Sequence, residues 1–252
     1  MSFVTRPDPI PSAELLQQLA PSGRLRAAIN YGNPVLAQKD AASGEPRGVS
    51  VDLAYAVGQQ LGLAVELVGY DIAGKVLDAV ADQAWDVAFL AIDPQRATQI
   101  SFTSPYVLIE GGYLVPNNSP FLMPSELDRA GVRIAVGKGA AYDLYLSRTL
   151  RDAQLVRAPT SAAAIELFVS EGLDAAAGVK QPLQAYAASH RNVRVLEGRF
   201  MAIEQAVALP AGRPLAHQYL QAFIEQHKAS GFVADALARS GQGDVTVAPA
   251  QR

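Results

Sequence analysis

The 252-residue chain contains no cysteine, which removes disulfides, thiolate metal sites and cysteine nucleophiles and leaves the redox compartment open. It has no apolar run near the ~18 residues that a transmembrane helix needs; its most apolar stretches stop after a few residues at a charge, Gly or Pro. It also lacks an excess of positive charge. Lys plus Arg number 21 against 24 Asp plus Glu, and the basic residues are scattered, so the concentrated field that nucleic acid or an anionic membrane requires is missing. The three histidines, His190, His217 and His227, lie too far apart for a zinc motif, and there is no nucleophile elbow or Ser/His pairing. Catalytic residues, metal ligands and cofactors are therefore not expected. Met1 to Pro11 lack the basic start and apolar stretch of a secretory signal. What the chain does have is the composition of a soluble globular protein, half hydrophobic and 18% charged, at a length that suits one large domain or two small ones.

Short apolar runs alternate with amphipathic segments throughout. Strands are predicted at Leu25–Asn30, Ala64–Val68, Trp85–Ile92, Arg133–Val136, Leu155–Ala158, Asp174–Gly178 and Ile203–Leu209. Helices are predicted at Val51–Leu61, Lys75–Ala84, Ala140–Leu150, Ser161–Glu171 and Pro214–Ser230. Such alternation argues for parallel βαβ units. Val107–Pro116 and Ile203–Pro210 are apolar strands ending in Pro that flank the middle third, and two strands crossing between lobes would form a hinge. The division expected is residues 1–113 plus 208–252 in one lobe and 114–207 in the other.

The run from Asp86 to Tyr106 is the most informative. A buried strand ends at Ile92, Asp93-Pro94 turns the chain, and Arg96 falls just beyond the strand's carboxyl end, where open α/β sheets place ligands. A guanidinium there can grip a carboxylate with two parallel hydrogen bonds. The loop from Gly137 through Gly139 and Ala140 to Tyr142 links a predicted strand to a predicted helix, a place that offers backbone N–H groups to an anion. It matches neither a dinucleotide fingerprint nor a phosphate-binding loop. Glu110 lies in a predicted crossing strand, where it binds ligand or braces the hinge.

Several segments together resemble the family 3 bacterial solute-binding proteins, of the type II periplasmic binding fold. These are Gly48 with Asp52-Leu53 opening a helix, Trp85-Asp86 before a strand, Pro94-Gln95-Arg96-Ala97 leading to Phe102-Thr103-Ser104-Pro105-Tyr106, then Tyr113-Leu114-Val115-Pro116, Ser125-Glu126-Leu127, and Gly131 to Gly139. The resemblance runs from about residue 23 to about 240. It implies an α/β fold of two lobes joined by a two-strand hinge, a monomer, and a small-molecule ligand held in the cleft for a membrane component of an ABC-type transporter. It also implies a periplasmic location, whereas the absence of a visible signal in the N-terminal residues leaves a cytoplasmic one open.

In that family the arginine of this motif holds a ligand carboxylate, which points to Arg96, and residues after the first strand cover the ligand, which points to Tyr31 and Asn33. The departures concern recognition. The family usually has Thr where Asp93 stands and Ser or Thr where Ala91 stands. The Asp that holds an ammonium group in many amino-acid binders is replaced by Val179, and Lys180 follows it. An amine would find no counter-charge there, so the expected ligand is a dicarboxylate or another anion without an amine, bound by Arg96 with Lys180. The competing readings are an intracellular lyase- or dehydratase-like enzyme using Asp93, Glu110 or Lys180 as acid or base, and a cytoplasmic ligand sensor.

Overall fold

The computed structural model describes residues 11–251, so the stretch read for an export signal falls, apart from Pro11, outside the described residues, as do the first ten residues assigned to the first lobe. Ser12 caps α1 (Ala13–Leu19), its hydroxyl accepting from the Leu15 N–H at 3.1 Å. The chain continues through β1 (Leu25–Asn30), a ribbon of β2 (Gln38–Lys39) and β3 (Pro46–Arg47), α2 (Val49–Leu61), β4 (Val65–Tyr70), α3 (Ala73–Asp78) and β5 (Val87–Ala91). One turn of 3-10 helix, Arg96–Thr98, leads into the 17-residue β6 (Ile100–Pro116). After it come β7 (Arg133–Gly137), α4 (Ala141–Thr149), β8 (Gln154–Ala158), α5 (Ser161–Ser170), β9 (Ala175–Val179), α6 (Lys180–Ser189) and β10 (Val193–Val195). The return strand β11 (Met201–Pro210) precedes α7 (Pro214–Ala229), α8 (Phe232–Arg239) and β12 (Thr246–Val247).

Two α/β lobes result, joined by β6 and β11. In the first, β4, β1 and β5 are parallel, and β11 joins them antiparallel to β5 from Gln205 onward. In the second, β7 lies parallel between β8 and β9, and β9 runs antiparallel to the far end of β6. Side chains alternate across each sheet, as a two-residue period requires. Ala27, Ile29 and Phe89 pack under α2, α7 and α8, while Ala28, Ala88 and Leu90 pack with Val76 and Trp85 on the other face. Ile134 and Val136 face one core of the second lobe, Ala135 and Ala176 the other. Helices on both faces explain the unbroken apolar strands.

Two differences from the predicted elements have physical causes. The segment Lys75–Ala84 does not stay helical: α3 ends at Asp78, because the Trp85 indole N–H takes the Val76 carbonyl at 2.8 Å, an acceptor that a continued helix would need. The strand expected from Val107 begins at Ile100 and passes through Pro105, which has no N–H for a ladder and sits where the register with β11 shifts around Ala206. The short helices α1, α6 and α8 are not among the predicted elements; α1 and α6 bury only Leu19 and Leu183, whereas α8 buries Val233, Ala236 and Leu237 within eight residues.

Two ionic clusters hold this frame. Asp86, fully buried, accepts from the Arg26 backbone N–H and Nε at 3.0 Å each and from its Nη2 at 2.8 Å, with Arg213 Nη1 at 3.6 Å. It thereby ties β1, the start of β5 and the N-terminus of α7. On the crossing strands, Glu110 of β6 accepts from Lys180 Nζ and Arg199 Nη1, each at 2.9 Å. These two cations, Lys180 first, hold its carboxyl below the ordinary Glu range.

Asp86→Ala leaves two arginines facing a buried gap, and is expected to cost about 3–5 kcal/mol in urea unfolding; a loss below about 1 kcal/mol would show that the cluster is dispensable. Because Glu110 has a lower pKa folded than unfolded, its stabilisation is complete above the unfolded value of about 4.3 and fades as pH falls through the folded value. Urea midpoints of wild type and Glu110→Gln are therefore expected to differ at neutral pH and to converge in acid.

Candidate ligand-binding site

The parallel strands of both lobes end at one place. Asn30, Ala91, Gly137 and Val179 are the last residues of β1, β5, β7 and β9, and all four line a single pocket between the lobes. This is the carboxyl-end crevice where open α/β sheets bind ligands. Arg96 lines it too, 2% exposed, delivered by the 3-10 turn after β5. Its Nη1 donates to the Ala91 carbonyl at 3.1 Å and its Nη2 crosses the cleft to the Gly139 carbonyl at 3.0 Å. A guanidinium has five N–H donors, and among the described residues these are its only side-chain hydrogen bonds, with no ion pair. Burial pulls its pKa down to about 10, against the opposing pull of Asp93, so it stays charged at neutral pH.

Asp93 does not line the pocket. Its Oδ1 accepts from the Gln95 N–H at 2.8 Å and the Arg96 N–H at 3.4 Å, fixing the turn that carries the arginine, and its Oδ2 accepts from Arg148 Nη2 of α4 at 2.7 Å. Those bonds satisfy the carboxylate and reach from one lobe to the other. Lys180 and Glu110 are likewise taken up, by each other and by Arg199 at the hinge, and neither lines the pocket. The second cation at the pocket is the exposed Lys138.

The loop after β7 also differs from its expected role. The N–H of Lys138 donates to Ala158 O at 2.9 Å, that of Gly139 to Asp143 Oδ2 at 2.8 Å and that of Ala140 to Gly137 O at 3.1 Å. None is left for an anion, and Gly139 contributes its carbonyl to Arg96 instead. Ala140, Ala141 and Tyr142 line the pocket at the start of α4, where the first N–H groups have no partner within the helix. Gly137 is needed because a Cβ there would meet Ser161 N at 2.8 Å and the Tyr142 hydroxyl at 2.9 Å. That approach lets Tyr142 donate to Ser161 Oγ at 2.8 Å across the pocket wall.

From the first lobe, Asn33 lines the same pocket, with its Oδ1 accepting from Val35 N–H at 3.3 Å. Tyr31 instead faces an adjoining chamber, with Lys39 Nζ 5.0 Å from its ring centroid. Sequence reasoning missed Asn30, Ile72, Ser161 and Gln205. Gln205 is the most informative of these: it is 4% exposed, lies on the crossing strand β11 and lines the pocket, and its amide has no hydrogen bond among the described residues. Nothing in the apolar strand pattern singled it out except its polarity. The pocket lining contains no Asp or Glu, and the described residues hold no cluster of His, Asp and Glu able to bind a metal ion.

Solved structures share this architecture. The amino acid ABC transporter substrate-binding protein AbpA of Streptococcus pneumoniae, bound to L-arginine, superposes with a TM-score of 0.77 at 18% identity, covering 91% of this chain and 99% of that one. The solute receptor for L-cysteine of Neisseria gonorrhoeae gives 0.77 at 21% identity, with 91% and 93% covered. A histidine kinase sensor domain similar to periplasmic binding proteins gives 0.76 at 20%, with 89% and 98% covered. At these identities the likeness establishes the fold. No curated protein sequence matches the chain. The family model of the bacterial extracellular solute-binding proteins, family 3, matches residues 25–240, and the chain belongs to that family.

Proposed function

We propose that the chain binds a small carboxylate-bearing solute without an α-amino group, closes on it, and serves as the substrate-binding component of an ABC-type uptake system. The observation that carries this reading is Arg96: a buried cation, facing a pocket, whose guanidinium hydrogen bonds among the described residues go only to carbonyls. A ligand carboxylate would supply the missing counter-charge, with the opening N–H groups of α4 and the Gln205 amide as further donors. The ligand-binding set is then Arg96, Ala91, Asn33, Ala140 and Tyr142, with Gly139 braced against Arg96 and Tyr31 beside the body of the solute.

The Arg96 pocket itself has no acidic lining residue, which supports an amine-free ligand: an ammonium group seated there would lose its water beside Arg96 and Lys138, and the one carboxylate of the adjoining chamber, Asp71, is exposed to solvent. Lys180 is paired with Glu110 and does not line the pocket. Closure is supported by the two lobes meeting at the pocket through Arg96 with Gly139 and Asp93 with Arg148, and by the two crossing strands, within which the division at residues 113 and 207 falls. An enzymatic reading has less to rest on, since Asp93, Glu110 and Lys180 are all engaged in ion pairs outside the pocket.

Arg96→Ala is expected to cost about 2–5 kcal/mol of affinity by calorimetry; equal affinity in wild type and variant would make Arg96 a structural residue. In a thermal-shift screen at equal concentration, keto acids and other amine-free acids are expected to raise the melting temperature more than amino acids do. A clear shift with a standard amino acid and none with the amine-free acids would overturn the ligand class.

A further inference from the structure

The cleft has a second chamber. It adjoins the Arg96 pocket, and the two share Gly32, Ser161 and Val179 as lining. Their sizes differ: the cavity beside Arg96 is about 50 Å³, the second about 370 Å³. The first admits a head group and little more, while the second falls in the range of small-molecule sites. A solute anchored at Arg96 must therefore place its body in the second chamber.

The chemistry of that chamber is apolar. Tyr31 and Pro34 from the first lobe face Ile165, Val179, Pro182 and Leu183 from the second. Its side-chain hydroxyls from α5 and its cap are neutral and held by the protein: Ser161 Oγ accepts from Tyr142 and Thr160 Oγ1 accepts from the Ala163 N–H at 3.1 Å, each keeping only its own O–H to donate. The other polar side chains are the Tyr31 hydroxyl and the carboxylate of Asp71, the one charged residue in the lining. No cation lines the chamber, so a second carboxylate entering it would lose water, find no counter-charge and face Asp71.

We infer that the solute is a monocarboxylate with an apolar aliphatic or aromatic body, its head at Arg96 and its body between Tyr31 and the α5–α6 wall. This rests on the Arg96 reading above and narrows it, disfavouring the dicarboxylates that two facing cations would have suggested. Because both lobes wall the chamber, burying the body rewards closure.

Calorimetry with straight-chain monocarboxylates from acetate to octanoate, and with the α,ω-dicarboxylates of matching length, tests the inference. Affinity is expected to rise about fourfold per added methylene until the chamber is full, and each dicarboxylate to bind at least about tenfold more weakly than its monocarboxylate partner. Ile165→Trp, filling the chamber, is expected to abolish the rise while leaving acetate and propanoate unchanged; Ile165→Ala, with melting temperature as the folding check, should keep the short acids and shrink the increment. A flat chain-length series in the wild type, or dicarboxylates that bind more tightly, would overturn the inference and leave the Arg96 reading standing. Failure of every acid to bind, or undiminished binding of the acids by Arg96→Ala, would bring down the Arg96 reading itself.

Discussion

The arrangement of the cleft depends on one constraint: a guanidinium carried almost entirely out of water needs partners, and the protein provides only carbonyls. Burial pulls the Arg96 pKa down to about 10, which means the charged guanidinium is held at a cost. A buried cation left in that state is a cost to the fold unless an anion arrives. The strain is localised where β1, β5, β7 and β9 end, so an anion that relieves it also touches both lobes.

The surrounding carboxylates are arranged so as not to relieve it. Asp93 lies close enough to raise the Arg96 pKa, yet its oxygens are spent on the backbone of the turn and on Arg148. Asp143, 3% exposed, accepts from Gly139 N–H, Ser147 Oγ and Arg157 Nε, and so aims the Gly139 carbonyl at Arg96 instead of neutralising it. Both acids act as positioning groups. Their geometry keeps the pocket cationic while fixing the two loops that frame it.

The lobes themselves are built by ordinary means, apolar strands covered on both faces and a fully buried Asp86 knitting β1, β5 and α7 together. The lobes are linked because β6 and β11 pair with each other over residues 100–111 and 201–210, while β11 also pairs with β5 of the first lobe and β6 with β9 of the second. Gly111 allows this, since a Cβ there would meet the Phe200 ring at 2.8 Å just where the two strands enter the second lobe. The hinge is thus narrow, and Lys180, Glu110 and Arg199 brace it on the surface.

While Tyr31 and Asn33 were pointed to only by the family resemblance, local patterning was enough for the α/β alternation, the two crossing strands and the position of Arg96 past the end of β5. Each depends on periodicity or turn chemistry within a few residues, and a long buried strand followed by Asp93-Pro94 leaves little choice of where the next side chain emerges. The partners of the charged groups were not legible. Asp93 meets Arg148 across 55 positions, Lys180 meets Glu110 across 70, and the N–H groups of the Lys138–Ala140 loop are consumed by Ala158, Asp143 and Gly137. Gln205 faces the pocket only because β11 inserts beside β5, and the apolar second chamber exists only because α5 and α6 of one lobe stand opposite Tyr31 and Pro34 of the other. Short-range sequence determines which segments fold and where their ends lie; which charges cancel, and which cation is left for a ligand, is decided by packing between segments far apart in the chain.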